Sequence, residues 1–90
     1  MVMEIKVYGS EECPYCRKLK KYLKVLRIPF RYVDIDLNEN EKEYLDAINT
    51  VGHQFIPLIK VDDTFMSPDK DFESIGEAVK ILFSKYHKKD

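Results

Sequence analysis

No stretch of this sequence approaches the ~18 consecutive apolar residues of a membrane span. The opening residues Met1-Val2-Met3-Glu4 also lack the basic and long apolar regions of a secretory signal. No membrane role is expected, and a cytoplasmic location is. Net charge is nearly absent: 15 Lys and Arg stand against 16 Asp and Glu, a formal −1. No global field therefore draws the chain to nucleic acid, and none is expected as a partner. With three glycines and four prolines the sequence holds neither collagen nor a low-complexity tract. Cysteine is confined to Cys13 and Cys16. That pair is too local to staple a secreted fold, and a reducing compartment with a redox or metal role fits better.

What is present describes an ordinary globular chain, 44% hydrophobic and 34% charged. Ninety residues supply one hydrophobic core, so residues 1–90 read as a single domain, expected to be a monomer. Met3, Ile5 and Val7 alternate with Glu4, Lys6 and Tyr8, the period of a strand that stops at Gly9-Ser10. Over 14–27 the period changes: Cys16, Leu19, Leu23 and Leu26 recur at helical steps among lysines, with Pro14 suited to the first turn and Pro29 beyond the end. Residues 30–35 read as a second strand and 40–49 as a helix with Tyr44, Leu45 and Ile48 inside. A hairpin follows, 57–61 and 64–66 about Asp62-Asp63. The last helix spans 72–86, with Ile75, Val79, Leu82, Phe83 and Tyr86 on one stripe. The order is β-α-β-α-β-β-α, an α/β fold with a four-stranded mixed sheet flanked by three helices, its first two strands parallel by the crossover rule.

Cys13-Pro14-Tyr15-Cys16 falls at the junction of the first strand and first helix. There, unpaired backbone N–H groups and the positive end of the helix dipole stabilise a thiolate. Cys13 is the expected nucleophile. Cys16 begins the apolar stripe, so it should be covered and resolve a mixed disulfide formed on Cys13. The plainer alternatives are two small buried residues or half a zinc site. Cys13, Cys16, His53 and His87 offer no second C-x-x-C and no close histidine pair, so no metal site is expected within one chain, while an intermolecular site stays open. Arg17, Lys18, Lys20, Lys21, Lys24, Arg27 and Arg31 read first as a solvated helix face and second as a positive surface flanking the thiolate. Tyr15 could pack on a substrate or cover the first helical turn, and His53 reads as a surface histidine.

Val7-Tyr8 followed by Cys13-Pro14-Tyr15-Cys16 resembles the dithiol glutaredoxins, the glutathione-linked branch of the thioredoxin-like fold, and Phe55-Ile56-Pro57 resembles their Thr-Val-Pro segment. The resemblance covers essentially the whole chain. It implies a cis bond before Pro57 that presents the Ile56 backbone to a substrate, with Gln54, Ile56 and Pro57 as substrate-binding residues, to which the reading of the residues adds Tyr15, Asp69 and Lys70. It implies a thiol–disulfide oxidoreductase acting on protein disulfides or glutathione mixed disulfides, with no bound cofactor, glutathione as co-substrate and ribonucleotide reductase among its partners. The pattern departs at three places, one of them Phe55, which replaces the family's Thr. Ser10 stands where the family has a cation. Ser67-Pro68-Asp69-Lys70-Asp71 stands where it has a Gly-Gly turn whose N–H groups hold a glutathione carboxylate. Proline has no N–H, so this turn is atypical; the Asp69 and Lys70 N–H groups are left to meet an anion, and Asp71 reads as a cap of the last helix. The departure keeps open recharging by a thioredoxin reductase. From other classes come a glutathione-assisted iron–sulfur or metal carrier using Cys13 of two subunits, and a binding module using the Ile56 edge alone.

Overall fold

The structure is a computed structural model, and residues 3–68 and 70–87 are described here. Strands β1 (Ile5–Gly9), β2 (Arg31–Asp34), β3 (Leu58–Val61) and β4 (Thr64–Met66) form one sheet in the order β2-β1-β3-β4. β1 runs parallel to β2 and antiparallel to β3, and β3 is antiparallel to β4. The helices are α1 (Pro14–Val25), α2 (Glu41–Val51) and α3 (Ile75–His87), with a 3-10 turn, Asn38–Asn40, leading into α2. That turn is new relative to the sequence reading. The fold is the mixed, four-stranded, three-helix architecture expected. No helix among the described residues is long and apolar enough to cross a membrane.

Strand alternation divides the core between two faces. Val7 pairs with Tyr32 and Ile59, and these residues join Leu19, Leu23, Ile75 and Leu82 in the cluster under α1 and α3. Its neighbour Tyr8 pairs with Val33 and Leu58 and points the other way, to Ala47 of α2. A one-residue slip would exchange these faces, so the register is fixed by burial on both sides. Each fully buried Leu or Ile contributes about 1.5–3 kcal/mol by leaving water.

Two helix ends differ from the sequence reading. α1 stops at Val25 because Ile28 N–H reaches back to the Leu23 carbonyl (2.9 Å) and Arg27 N–H to that of Lys24 (3.1 Å), with Arg27 left-handed at φ 57°. This paired closure lets Ile28 bury against Leu23 and leaves Leu26, expected on the inner stripe, exposed. α3 begins at Ile75 rather than Phe72, and its first turn is capped by Ser74 Oγ, which accepts from Glu77 N–H at 3.1 Å. Asp71 is not the cap. Its carboxylate accepts from Ser67 N–H at 2.7 Å, four residues upstream. On α2 the residue buried against the sheet is Ala47, while Leu45 is exposed, because Tyr44, Ala47 and Val51, three and four residues apart, form the inner face. On α3, Phe83 is likewise exposed, and Ala78 fills the buried stripe beside Val79 and Leu82.

Glu43 ties α2 to the sheet, accepting from Lys6 of β1 at 3.0 Å and pairing with Arg31 of β2 at 3.5 Å. The Lys6 hydrogen bond chiefly holds its carboxyl below the ordinary 4.5; partial burial opposes this, and the charges of Lys6, Arg31 and Lys60 assist it. A depressed folded-state value means that this stabilisation is complete above the unfolded value and is lost as pH falls through the folded one. Glu43→Gln should therefore cost about 0.5–1 kcal/mol at neutral pH and almost nothing in strong acid, as measured by urea denaturation at the two pH values.

Candidate active site

The loop from β1 to α1 places both cysteines. Ser10 Oγ donates to Asp36 Oδ2 at 2.6 Å and accepts from Glu12 N–H at 3.2 Å, while Cys13 N–H donates to the Ser10 carbonyl at 3.1 Å. Ser10 is thus a buried post holding the loop, and it does not line the groove described below. Cys13 is the N-cap of α1 in extended backbone, φ −86° and ψ 116°, with Pro14 beginning the helix and no side chain capping the first turn. Its thiol is partly exposed. Cys16, one turn on, is 0% exposed, and both thiols are free. Burial pushes the Cys16 thiol up to about 12; the adjacent Cys13 adds to the rise, while the Ser10 backbone and the Tyr32 hydroxyl oppose it.

Cys16 fits because Gly9, the last residue of β1, has no side chain. A Cβ there would stand 2.5 Å from Cys16 Sγ, 2.9 Å from Cys16 Cβ and 2.8 Å from Tyr32 Oη. Nothing at the sequence level marked this contact, since Gly9 reads as the ordinary end of a strand.

Tyr15, between the two cysteines, is 63% exposed and forms one wall of a groove of about 490 Å3. It does not cover the first turn. Across the groove lie Phe55, Ile56 and Pro57, joined by a cis bond between Ile56 and Pro57. Pro68, Phe72 and the start of α3 close the other side, and Lys18 and Glu73 supply one charge of each sign. Phe55 is exposed and stacks on His53 at 5.2 Å between centroids. His53 is not the surface residue expected: it is half-buried, its Nδ1 accepts from Phe55 N–H at 3.2 Å, and its Nε2 is buried with no hydrogen-bond partner among the described residues.

Of the substrate-binding residues named from sequence, Tyr15, Ile56 and Pro57 meet at this groove, whereas Gln54 and Lys70 do not. Gln54 is exposed at the far end of the segment, where its carbonyl accepts from the Tyr44 hydroxyl at 3.4 Å. The Lys70 N–H turns inward to the Ser67 carbonyl at 3.4 Å, which Asp71 N–H also reaches at 2.9 Å. Neither N–H is left for an external anion. Asp69 lies outside the described residues. Lys18 and Phe55, beside Tyr15 and Ile56, were not singled out as binding residues, and Pro68 and Phe72 were missed because the groove is assembled from segments far apart in the chain. Among the described residues no three His, Cys, Asp or Glu side chains gather as metal ligands would.

A partly exposed thiol at a helix N-cap above a buried one, at the end of a strand in this sheet, defines a dithiol protein of the thioredoxin-like fold. The family model for glutaredoxin matches residues 5–66, and the chain belongs to the glutaredoxin family. It is 34% identical over 58 residues to a glutaredoxin-like 8.6 kDa protein in a rubredoxin operon of Clostridium pasteurianum, covering 64% of this chain and 75% of that one. Glutaredoxin 1 from Francisella tularensis superposes with a TM-score of 0.63 at 26% identity, over 91% of this chain and 99% of the other. The glutaredoxin-like NrdH-redoxin from Escherichia coli shares the fold at a TM-score of 0.64 and 18% identity, over 88% and 93% of the two chains. This chain spans about half the length of the mitochondrial glutaredoxin-2 sequences that it also matches.

Proposed function

We propose that this protein reduces protein disulfides by dithiol exchange, Cys13 attacking and Cys16 resolving. The observation that carries the reading is the partly exposed Cys13 at the open N-terminus of α1, directly above the fully buried Cys16. Cys13 thiolate attacks one sulfur of the substrate, breaking its disulfide and releasing one substrate thiol; a mixed disulfide remains on Cys13. Cys16 then loses its proton to water and attacks the Cys13 sulfur. The Cys13–Cys16 disulfide forms, the second substrate thiol leaves, and two electrons have passed to the substrate. The groove between Tyr15 and the Ile56-Pro57 segment receives the chain that flanks the substrate sulfur, its aromatic walls suited to an extended peptide.

A protein reductant of the thioredoxin reductase type, rather than glutathione, restores the dithiol in this reading. At the turn where glutaredoxins hold a glutathione carboxylate, the described residues take up one another's donors: Asp71 occupies the Ser67 N–H, Ser67 occupies the Lys70 and Asp71 N–H groups, and Pro68 has none. An internal carboxylate thus takes a donor that a glutathione carboxylate would need. The Escherichia coli NrdH-redoxin, described as having a thioredoxin-like activity profile, supports the reading by showing that this fold accommodates such a profile. Ribonucleotide reductase is the protein-disulfide partner proposed from the family resemblance, and a reducing cytoplasm is the compartment proposed. The test supplies the oxidised protein with glutathione and glutathione reductase in one reaction and with thioredoxin reductase in another. Turnover of a small disulfide is expected with thioredoxin reductase and to be weak with glutathione; saturation at low glutathione would reverse the assignment of the reductant.

A further inference from the structure

The Tyr32 hydroxyl is buried and has no hydrogen-bond partner among the described residues. A buried hydroxyl without a partner costs about 1–3 kcal/mol, a cost that a hydrogen bond formed during the reaction would offset. The gap left by Gly9 shows where it faces: one point, the absent Cβ, lies 2.8 Å from Tyr32 Oη and 2.5 Å from Cys16 Sγ. Lys20 of α1 lies over the ring at 4.2 Å and is itself held by Glu11 at 2.7 Å, so the ring is clamped with its hydroxyl end inward.

We propose that Tyr32 is a positioning residue for the resolving step, its hydroxyl donating a hydrogen bond to the Cys16 sulfur as that sulfur becomes a thiolate. The proposal rests on the dithiol reading above and adds a residue to it. In the resting protein, burial and the neighbouring Cys13 both oppose ionisation of Cys16. Once Cys13 is tied in a mixed disulfide it carries no charge and donates nothing to Cys16. The groups left to favour the thiolate are the Ser10 backbone and the Tyr32 hydroxyl. Tyr32 keeps its own proton, because burial first, then the negative charges of Cys16, Glu11 and Asp34, hold the phenol above its ordinary range. It therefore acts as a donor and not as a base. The charged groups around it are Lys20 over the ring, Lys24 and Arg27 along the groove at its outer side, and Glu11 and Asp34. Apart from Asp34, which follows Tyr32 on β2 by two residues, all belong to α1, the bend after it or the loop before it. The Cys16 proton goes to water, and the electron pair it leaves forms the bond to Cys13 sulfur.

The test mixes the reduced protein with 5,5′-dithiobis(2-nitrobenzoate) and follows the coloured thiolate released in two phases. The first equivalent reports attack by Cys13 and the second reports resolution by Cys16. Tyr32→Phe preserves the ring and removes only the hydroxyl. It should leave the first phase unchanged, slow the second about tenfold, the usual scale of a hydrogen bond to a charged group, and move the pH midpoint of the second phase upward. A second phase with unaltered rate and midpoint would overturn the proposal, as would equal slowing of both phases, which would mark general damage. A first phase that survives Cys13→Ser would overturn the dithiol reading itself.

Discussion

Cys13→Ser should abolish disulfide reduction, reducing turnover to the uncatalysed background, whereas Cys16→Ser should retain exchange with a glutathionylated peptide. The asymmetry follows from position. Cys13 caps α1 in extended backbone with the N–H groups of the first turn open beside it, and its thiol reaches solvent. Cys16 is buried, and burial pushes its thiol up to about 12, so at neutral pH it is protonated and cannot begin the reaction. It can finish it, because a mixed disulfide on Cys13 places an electrophilic sulfur against it. Kinetics of both variants on a protein disulfide and on a glutathionylated peptide separate the roles: the first substrate needs both thiols, the second only Cys13.

Gly9→Ala should destabilise the protein markedly, more than an added methyl at Gly76, which would meet only Ser74 Oγ at 3.9 Å. The strand cannot move aside, since Gly9 pairs with Asp34 and its carbonyl accepts from Ile35 N–H at 3.0 Å. The opposing atoms at 2.5 and 2.9 Å belong to Cys16 on the first turn of α1. Relief requires that turn to lift, and overpacking of this kind commonly costs about 1–3 kcal/mol. Gly9 has no left-handed backbone, unlike Gly52 at φ 82°, so the effect is steric and not conformational. Urea denaturation should show the loss of stability. Titration in a glutathione redox buffer should show a less stable Cys13–Cys16 disulfide, as Cys16 is displaced from its partner. Retention of both values would mean that α1 tolerates the shift.

The order of elements was legible because it rests on periodic burial, the strongest signal a single sequence carries, whereas the second buried face was not: Tyr8, which alternates in step with Glu4 and Lys6, packs against α2. The cysteine pair was legible because Pro14 and the strand before it fix a helix N-terminus there. Other features depended on local turn geometry or on contacts between distant segments. Arg27 takes a left-handed turn without glycine, so nothing in the composition marked the end of α1 two residues early. Ala47 rather than Leu45 faces the sheet: Tyr44, Ala47 and Val51 fall at helical steps, but a small alanine is a weaker apolar signal than a nearby leucine. Asp71 looked like a helix cap, but it binds Ser67 within its own turn, and Ser74 caps the helix instead. The groove was half legible: Tyr15, Ile56 and Pro57 came from motifs, Phe55 was quoted in one of them without a role, and Pro68 and Phe72 entered through the fold. The opposition of Gly9, Cys16 and Tyr32 joins β1, α1 and β2 at one point and has no trace in local sequence.

The ordering of the two thiols is the centre of this account, and competitive alkylation tests it most directly. Reduced protein is treated with less than one equivalent of iodoacetamide at neutral pH, and the modified cysteine is identified by peptide mass spectrometry. Modification confined to Cys13, with Cys16 reacting only after denaturation, is the predicted result. Faster alkylation of Cys16 would contradict the assignment of nucleophile and resolving thiol.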